Sequence, residues 1–358
     1  PMIQLTSSYG SQNSFDFNYV FLHHFHKSFL SSYINNQYVS ICNSLFDHFL
    51  NSPINVQSVT NLVKQTITTH QTFTDTEYVI DACNFLNCNG IGDNNYKYGG
   101  AILFVHENAK LTVHGTTFDN CYTSGDGGAI FAVGIKGETN KQNKDYTHQN
   151  MQNFNSHYCC YSHCSAECAD YSGDQYKYSG YGSALLVAAS NIELNFSATS
   201  ECPSTGKSSY GAQFDINTNN VKSCFINATT GDSYCCGSIE YRQARTGFFR
   251  YQTIVNQICA FGTSFTSIQG PIEISNCNMV GNTLRYIAEA PSLCLVHVRF
   301  NSVTIKNFIV METKIGNTGN KPIGFATKGE GSSNQFDITV VDCTFDSNEA
   351  FASFTNLS

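Results

Sequence analysis

Short apolar alternations recur along this chain, and each leads into the same small set of residues. Leu111 and Val113, Ile272 and Ile274, and Ile338 and Val340 alternate with polar neighbours. That period of two predicts strands with one face buried. A six-residue motif follows, of the form Cys/Thr-x-aromatic-x-x-Cys/Asn. It reads Cys-Asn-Phe-Leu-Asn-Cys from Cys83 through Phe85 to Cys88, and Thr-Thr-Phe-Asp-Asn-Cys from Thr116 through Phe118 to Cys121. It returns as Cys159-Cys160-Tyr161-Ser162-His163-Cys164, as Cys277 to Asn282 with Met279 in the aromatic slot, and as Cys343 to Asn348 with Phe345. A loop then leads to a second motif, Gly-Gly-Ala-Ile, which opens at Gly99-Gly100 and again at Gly127-Gly128 before apolar runs. Weaker copies are Gly182-Ser183-Ala184-Leu185, Tyr210-Gly211-Ala212 and Cys236-Gly237-Ser238-Ile239.

Two half-motifs in fixed order, repeating at about 30 residues, predict a solenoid. A strand, a tight bend, a second strand and a loop make one coil of a parallel β-helix. Coils stack at the inter-strand spacing of about 4.8 Å, so one slot forms one column. The aromatic slot then gives an internal stack and the Asn slot an amide ladder. Paired glycines suit a bend with no room for Cβ or with unusual φ/ψ. An antiparallel β-sandwich does not explain the fixed order of Cys, aromatic, Cys/Asn and Gly-Gly-Ala.

Residues 1–75 read differently. Phe15, Phe17, Tyr19 and Phe21 alternate, and His23, His24 and His26 flank Phe25. These residues predict an irregular N-terminal cap or degenerate first coils, with the β-helix repeats over 76–358. The histidines are read as a polar face beside aromatic strands rather than as metal ligands. The polar stretch 134–158 and the tyrosine-rich stretch 165–181 predict loop insertions, where solenoids tend to place binding residues.

The two half-motifs resemble the polymorphic outer membrane protein repeats of chlamydial surface proteins, in which Phe-x-x-Asn and Gly-Gly-Ala-Ile recur. Similar repeats occur in surface proteins of protist parasites such as trichomonads, and a protist surface relative fits this chain better than a bacterial one. Cys88 and Cys121 stand where that family has Asn; Phe345 with Asn348 is the strict match. The resemblance covers roughly residues 78–350. It implies an all-β, right-handed, single-stranded parallel β-helix of the pectin-lyase-like kind, exported, and acting in adhesion or as a surface layer.

Charged residues are 13% of the 358, with 19 Lys and Arg against 27 Asp and Glu and a formal charge of −8. The charged share is about half the usual one, and the sign argues against nucleic acid as a partner. No apolar run approaches the roughly 20 residues of a membrane span. Sixteen cysteines are many for a cytosolic protein and permit complete pairing. Cys88, Cys121 and Cys164 share one slot, and Cα separations of about 4.8 Å between adjacent coils fall within disulfide range. The disulfide candidates are Cys83, Cys88, Cys121, Cys159, Cys160, Cys164, Cys168, Cys235 and Cys236. The alternatives are a ladder of buried free thiols and zinc held by Cys160, Cys164 and Cys168 with His157 and His163, at a spacing unlike a standard finger. Asn195, Asn227 and Asn356 begin N-glycosylation sequons.

Parallel β-helices include polysaccharide lyases and hydrolases, which need carboxylates, or a basic residue with acidic calcium ligands, at fixed positions. Polygalacturonase-type signatures, a Ser-His-Asp motif and a phosphate loop are missing from the sequence. The expectation is therefore a non-enzymatic extracellular or cell-surface protein without a cofactor. It would present loops to a surface protein or glycan, or pack with copies of itself into a filament or coat. A polysaccharide-binding or polysaccharide-degrading enzyme is the alternative.

Overall fold

In the computed structural model the chain winds as a parallel β-helix. Side chains are described for residues 2–5, 14–32, 37–57, 76–90, 98–134, 151–166 and 182–202, together with parts of 250–256, 273–282, 304–312 and 339–344; at residue 13 and elsewhere between 214 and 357 the strand backbones are described. Every strand pairing joins one coil to the next, in parallel and nearly in register. The first face runs from Ile3 through Leu30, Ile54, Ile102, Ile130, Leu185, Phe214, Ile239, Phe265, Val296 and Phe325 to Phe354. The second face carries Phe15, Val39, Tyr78, Leu111, Phe154 and Ile192 in one column. The third carries the aromatic slot: Phe46, Phe85, Phe118, Tyr161 and Thr199, then Ala228, Ile254, Met279, Val310 and Phe345. Its rings stack at centroid distances of 5.0–5.1 Å, tilted by 15° between Phe46 and Phe85 and by only 5° higher in the stack.

The Gly-Gly-Ala-Ile motif forms the bend into the first face. Gly99, Gly127 and Gly182 take φ of 62°, 70° and 62°, a left-handed conformation open to glycine. The next residue is tight for a different reason. A Cβ on Gly100 would strike the carbonyl oxygen of Gly128, and one on Gly128 that of Ser183. On the outer side of this face Val105, Phe131, Val133, Leu186 and Ala188 form a second buried cluster, with Tyr98 packed on Phe131. The sheet is thus covered on both sides there, which explains the unbroken apolar run from Ala184 to Ala189.

Of the two readings of the N-terminal residues, first coils rather than an irregular cap is the one observed. Strands at Ile3–Leu5, Asn13–Asn18 and Phe21–Phe25 pair with Leu30–Ser32, Gln37–Cys42 and Leu45–Phe49. A boundary at residue 75 falls inside the coil formed by Ile54–Gln57, Thr76–Asp81 and Asn84–Leu86. These coils escaped the motif because other residues fill its slots: Ser44 stands where Cys83 stands one coil later, and Phe46 begins the aromatic stack. The stretch 134–158 is also shorter as an insertion than its polarity predicts. Met151–His157 is a second-face strand paired with Ala109–His114. Residues 135–150 and 167–181 lie outside the described residues.

The cysteines correct a second expectation. Cys83, Cys88, Cys121, Cys159, Cys160 and Cys164 are free thiols. Stacked side chains run parallel, so their Cβ atoms stay about 4.8 Å apart, wider than the roughly 3.8 Å typical of a disulfide. Each buried thiol has another partner. Cys88, Cys121, Cys164 and Cys202 reach the carbonyls of Phe46, Phe85, Phe118 and Tyr161 in the preceding coil, at 3.4–3.6 Å, and share that proton with the carbonyl two residues back in their own coil, at 3.3–3.8 Å. Asn282 repeats this contact through Nδ2, at 3.1 Å from the Ile254 carbonyl. Cys83 and Cys159 reach Ile41 and Val113 in the same way at the preceding corner. Burial pushes the Cys83 thiol up to about 12, and those of Cys121, Cys164 and Cys202 well above the ordinary value. Cys160 faces outward while Cys164 lies in the core, so these two do not converge on one metal. Cys168 and Cys235 lie outside the described residues, as does the side chain of Cys236. Asn348 does too, while Phe345 is described by its backbone alone.

This arrangement sets a chemical expectation. Alkylation of the native chain, mapped by mass spectrometry, should modify Cys160 and leave Cys88, Cys121, Cys164 and Cys202 untouched until denaturant is added. A Cys88–Cys121 disulfide in the native protein would contradict it.

Candidate functional site: two columns on the outer corners

The chain turns each outer corner through a residue with left-handed φ. Between the second and third faces these residues are Tyr19, Asn43, Ala82, Gly115, Tyr158, Phe196, Tyr251, Asn276, Asn307 and Asp342. Such a backbone costs an L-residue about 1–2 kcal/mol, less for Asn or Asp and nothing for Gly. Asn, Asp and Gly are thus the expected occupants, and aromatic rings are not. Yet Tyr158, Phe196 and Tyr251 sit there with φ of 56°, 53° and 56°, and their exposures of 56%, 59% and 58% mean that burial does not offset the cost. The Tyr158 and Phe196 rings stack at 5.0 Å and 8°, and His114 meets Tyr158 edge-on at 5.6 Å.

Beside this ladder the second face presents half-buried amides. Asn191 donates to Asn153 at 2.9 Å, Asn195 to Glu193 at 2.7 Å, and Asn155 to Thr112 at 3.5 Å. Exposed rings flanked by amides and a carboxylate can stack on an apolar ligand face and bond its hydroxyls. The glycosylation candidate Asn195 belongs to this surface; it lies in mid-strand, and its sequon partner Ser197 is buried. Asn227 and Asn356 lie on strands whose side chains are outside the described residues.

The corner after the third face forms the second column: His24, His48, Asn87, Asn120, His163 and Glu201, all with φ of 50–59°. Asn120 donates to Asn87 at 2.7 Å. His163 is held between Asp119, 3.0 Å from Nδ1, and Glu201, 2.9 Å from Nε2. Its hydrogen bond to Asp119 and the Glu201 charge raise its pKa against a small desolvation. Lower in the column, Asp47 accepts from Nδ1 of His23 and Nδ1 of His48, each at 2.6 Å, and from Asn87 at 3.1 Å. Partial burial pushes the Asp47 carboxyl up, but bonds from Asn87, His48 and His23 together hold it below the usual range. The rings of His23 and His48 both lie against His24, at 3.7 and 4.7 Å.

The two corner columns and the repeat-defining residues do separate work. Phe85, Phe118, Tyr161 and Met279 are core; so are Cys88, Cys121, Cys164, Cys277 and Asn282. Sequence spacing groups His23 and His24 but misses His48 and Asp47, which only the register of the next coil brings beside them. Among the described residues no helix is long and apolar enough to cross a membrane.

No protein-family model matches the chain, and neither does any curated protein. Among solved structures it is similar to the Streptococcus pneumoniae surface protein and adhesin PfbA, with 11% identity and a TM-score of 0.29 over 98% of this chain and 92% of that one. A likeness of that order bears on neither activity nor partners.

The strain at the aromatic corner has a measurable sign. An exposed ring stack contributes roughly 0.5 kcal/mol, the low end for aromatic pairs. That is less than the left-handed penalty an asparagine largely avoids. Phe196→Asn should therefore raise the free energy of unfolding by roughly 0.5–1 kcal/mol in a denaturant titration. A loss of stability of that size would mean that the ring is there for packing.

Proposed function

We propose that the protein is a non-enzymatic extracellular rod that binds a neutral surface polysaccharide along its aromatic corner. The observation that carries this reading is the exposed run of Tyr158, Phe196 and Tyr251 at backbone positions that disfavour them. Strain retained without burial is characteristic of binding surfaces. The chemistry then selects the ligand. Tyr158 and Phe196 stand one coil apart and Tyr251 two coils beyond Phe196; rings spaced along one edge in this way match a repeating polymer with apolar sugar faces, and the flanking Asn153, Asn155, Asn191 and Glu193 suit its hydroxyls. A net charge of −8 disfavours polyanionic glycans. Export does not require disulfides here, because thiols that are buried and hard to ionise are poor targets for oxidation.

A panel of neutral and acidic polysaccharides in affinity electrophoresis, with the triple variant Tyr158→Ser, Phe196→Asn, Tyr251→Asn as control, tests the proposal. The native chain should be retarded by at least one neutral polymer and the variant by more than tenfold less, with the same circular dichroism. Equal retardation of both proteins, or retardation by acidic polymers alone, would overturn it.

A further inference from the structure

We propose that His23, His24 and His48 form a binding site for a divalent transition-metal ion of the zinc class. One ligand nitrogen from each lies within 4.8 Å of the others. Around a tetrahedral zinc with bonds of about 2.05 Å such atoms stand roughly 3.3 Å apart. All three side chains are exposed, so their rings can close that difference without disturbing the core.

Asp47 makes this more than a chance gathering of imidazoles. Its two carboxylate oxygens take Nδ1 of His23 and Nδ1 of His48. That places the proton of each ring on Nδ1 and leaves the Nε2 lone pair pointing away, the carboxylate–histidine arrangement that orients metal ligands. Asn87, from the third coil, steadies Asp47 in turn. The upper part of the same corner gives the contrast. His163 also binds an aspartate through Nδ1, but Glu201 occupies its Nε2. Among the described residues nothing engages Nε2 of His23 or His48.

The donor set selects the ion. Three imidazoles suit zinc, copper or nickel. Calcium and magnesium need several oxygen ligands, and the one adjacent carboxylate is already used by the histidines. His24 and His48 also line an open groove of about 350 Å³, together with His26, Asn87 and Asn120, so a fourth position stays accessible to water or a ligand. His23 and His24 belong to the first coil and His48 to the second, so a bound ion ties the two together.

The test is calorimetric titration of zinc chloride into the full chain, without a histidine tag and with accessible cysteines alkylated, alongside cobalt(II) absorption. The expected result is one zinc per chain, a visible tetrahedral cobalt band, and a higher unfolding temperature with zinc. His23→Gln or His48→Gln should weaken binding at least tenfold, and Asp47→Asn by about 10–100-fold. Circular dichroism of each variant checks the fold. No zinc uptake by the native chain, or equal uptake by a variant lacking all three histidines, would overturn the proposal.

Discussion

Each coil of this protein closes the hydrogen bonding of the coil before it, and that one requirement governs which residues can stand where. Strands satisfy one another through parallel ladders, while a polar side chain turned inward after a strand needs a partner of its own. In the repeat such side chains reach a carbonyl of the preceding coil. Cys88, Cys121, Cys164 and Cys202 do so with a thiol, and Asn282 does so with an amide. A buried donor left without a partner costs about 1–3 kcal/mol, so the slot admits residues that are small enough to fit and able to reach that carbonyl. Cysteine and asparagine are interchangeable there on those terms, which gives the Cys/Asn alternation of the repeat a physical meaning.

Stacking in register also shapes the outside. Every exposed side chain has a like-placed neighbour about 4.8 Å above and below, where equal charges repel. The chain meets this with few charges and with amide ladders such as Asn87 to Asn120 and Asn276 to Asn307. Opposite charges also meet between coils, as in Asp119, His163 and Glu201. Two places depart from this economy. The aromatic corner keeps exposed rings on strained backbone, and the first two coils gather three histidines around one aspartate. Neither is needed to close the coils, and each offers chemistry that the repeat itself lacks.

Much of the interior was legible in the sequence. The aromatic slot named Phe85, Phe118, Tyr161, Met279 and Phe345, and strand register places all five in one column. Paired glycines marked the bend whose first residue is left-handed and whose second has no room for Cβ. The early coils could be read only as an alternative to a cap, because Ser44 and Phe46 fill their slots without cysteine or glycine pairs. Disulfides were expected from Cα spacing alone, which ignores that stacked side chains run parallel. The outer columns could not be read at all. Tyr158 and Phe196, or His23 and His48, meet only once coil length is known, and that varies with insertions such as 135–150.

The donor slot is tested most directly by comparing the stabilities of Asn282→Ala and Asn282→Cys in urea. Loss of the donor in the alanine variant should cost about 0.5–1.5 kcal/mol, the net worth of one hydrogen bond, and the cysteine variant should recover most of it. Equal losses in both variants, or no loss in either, would show that something other than donation to the preceding coil's carbonyl holds this position.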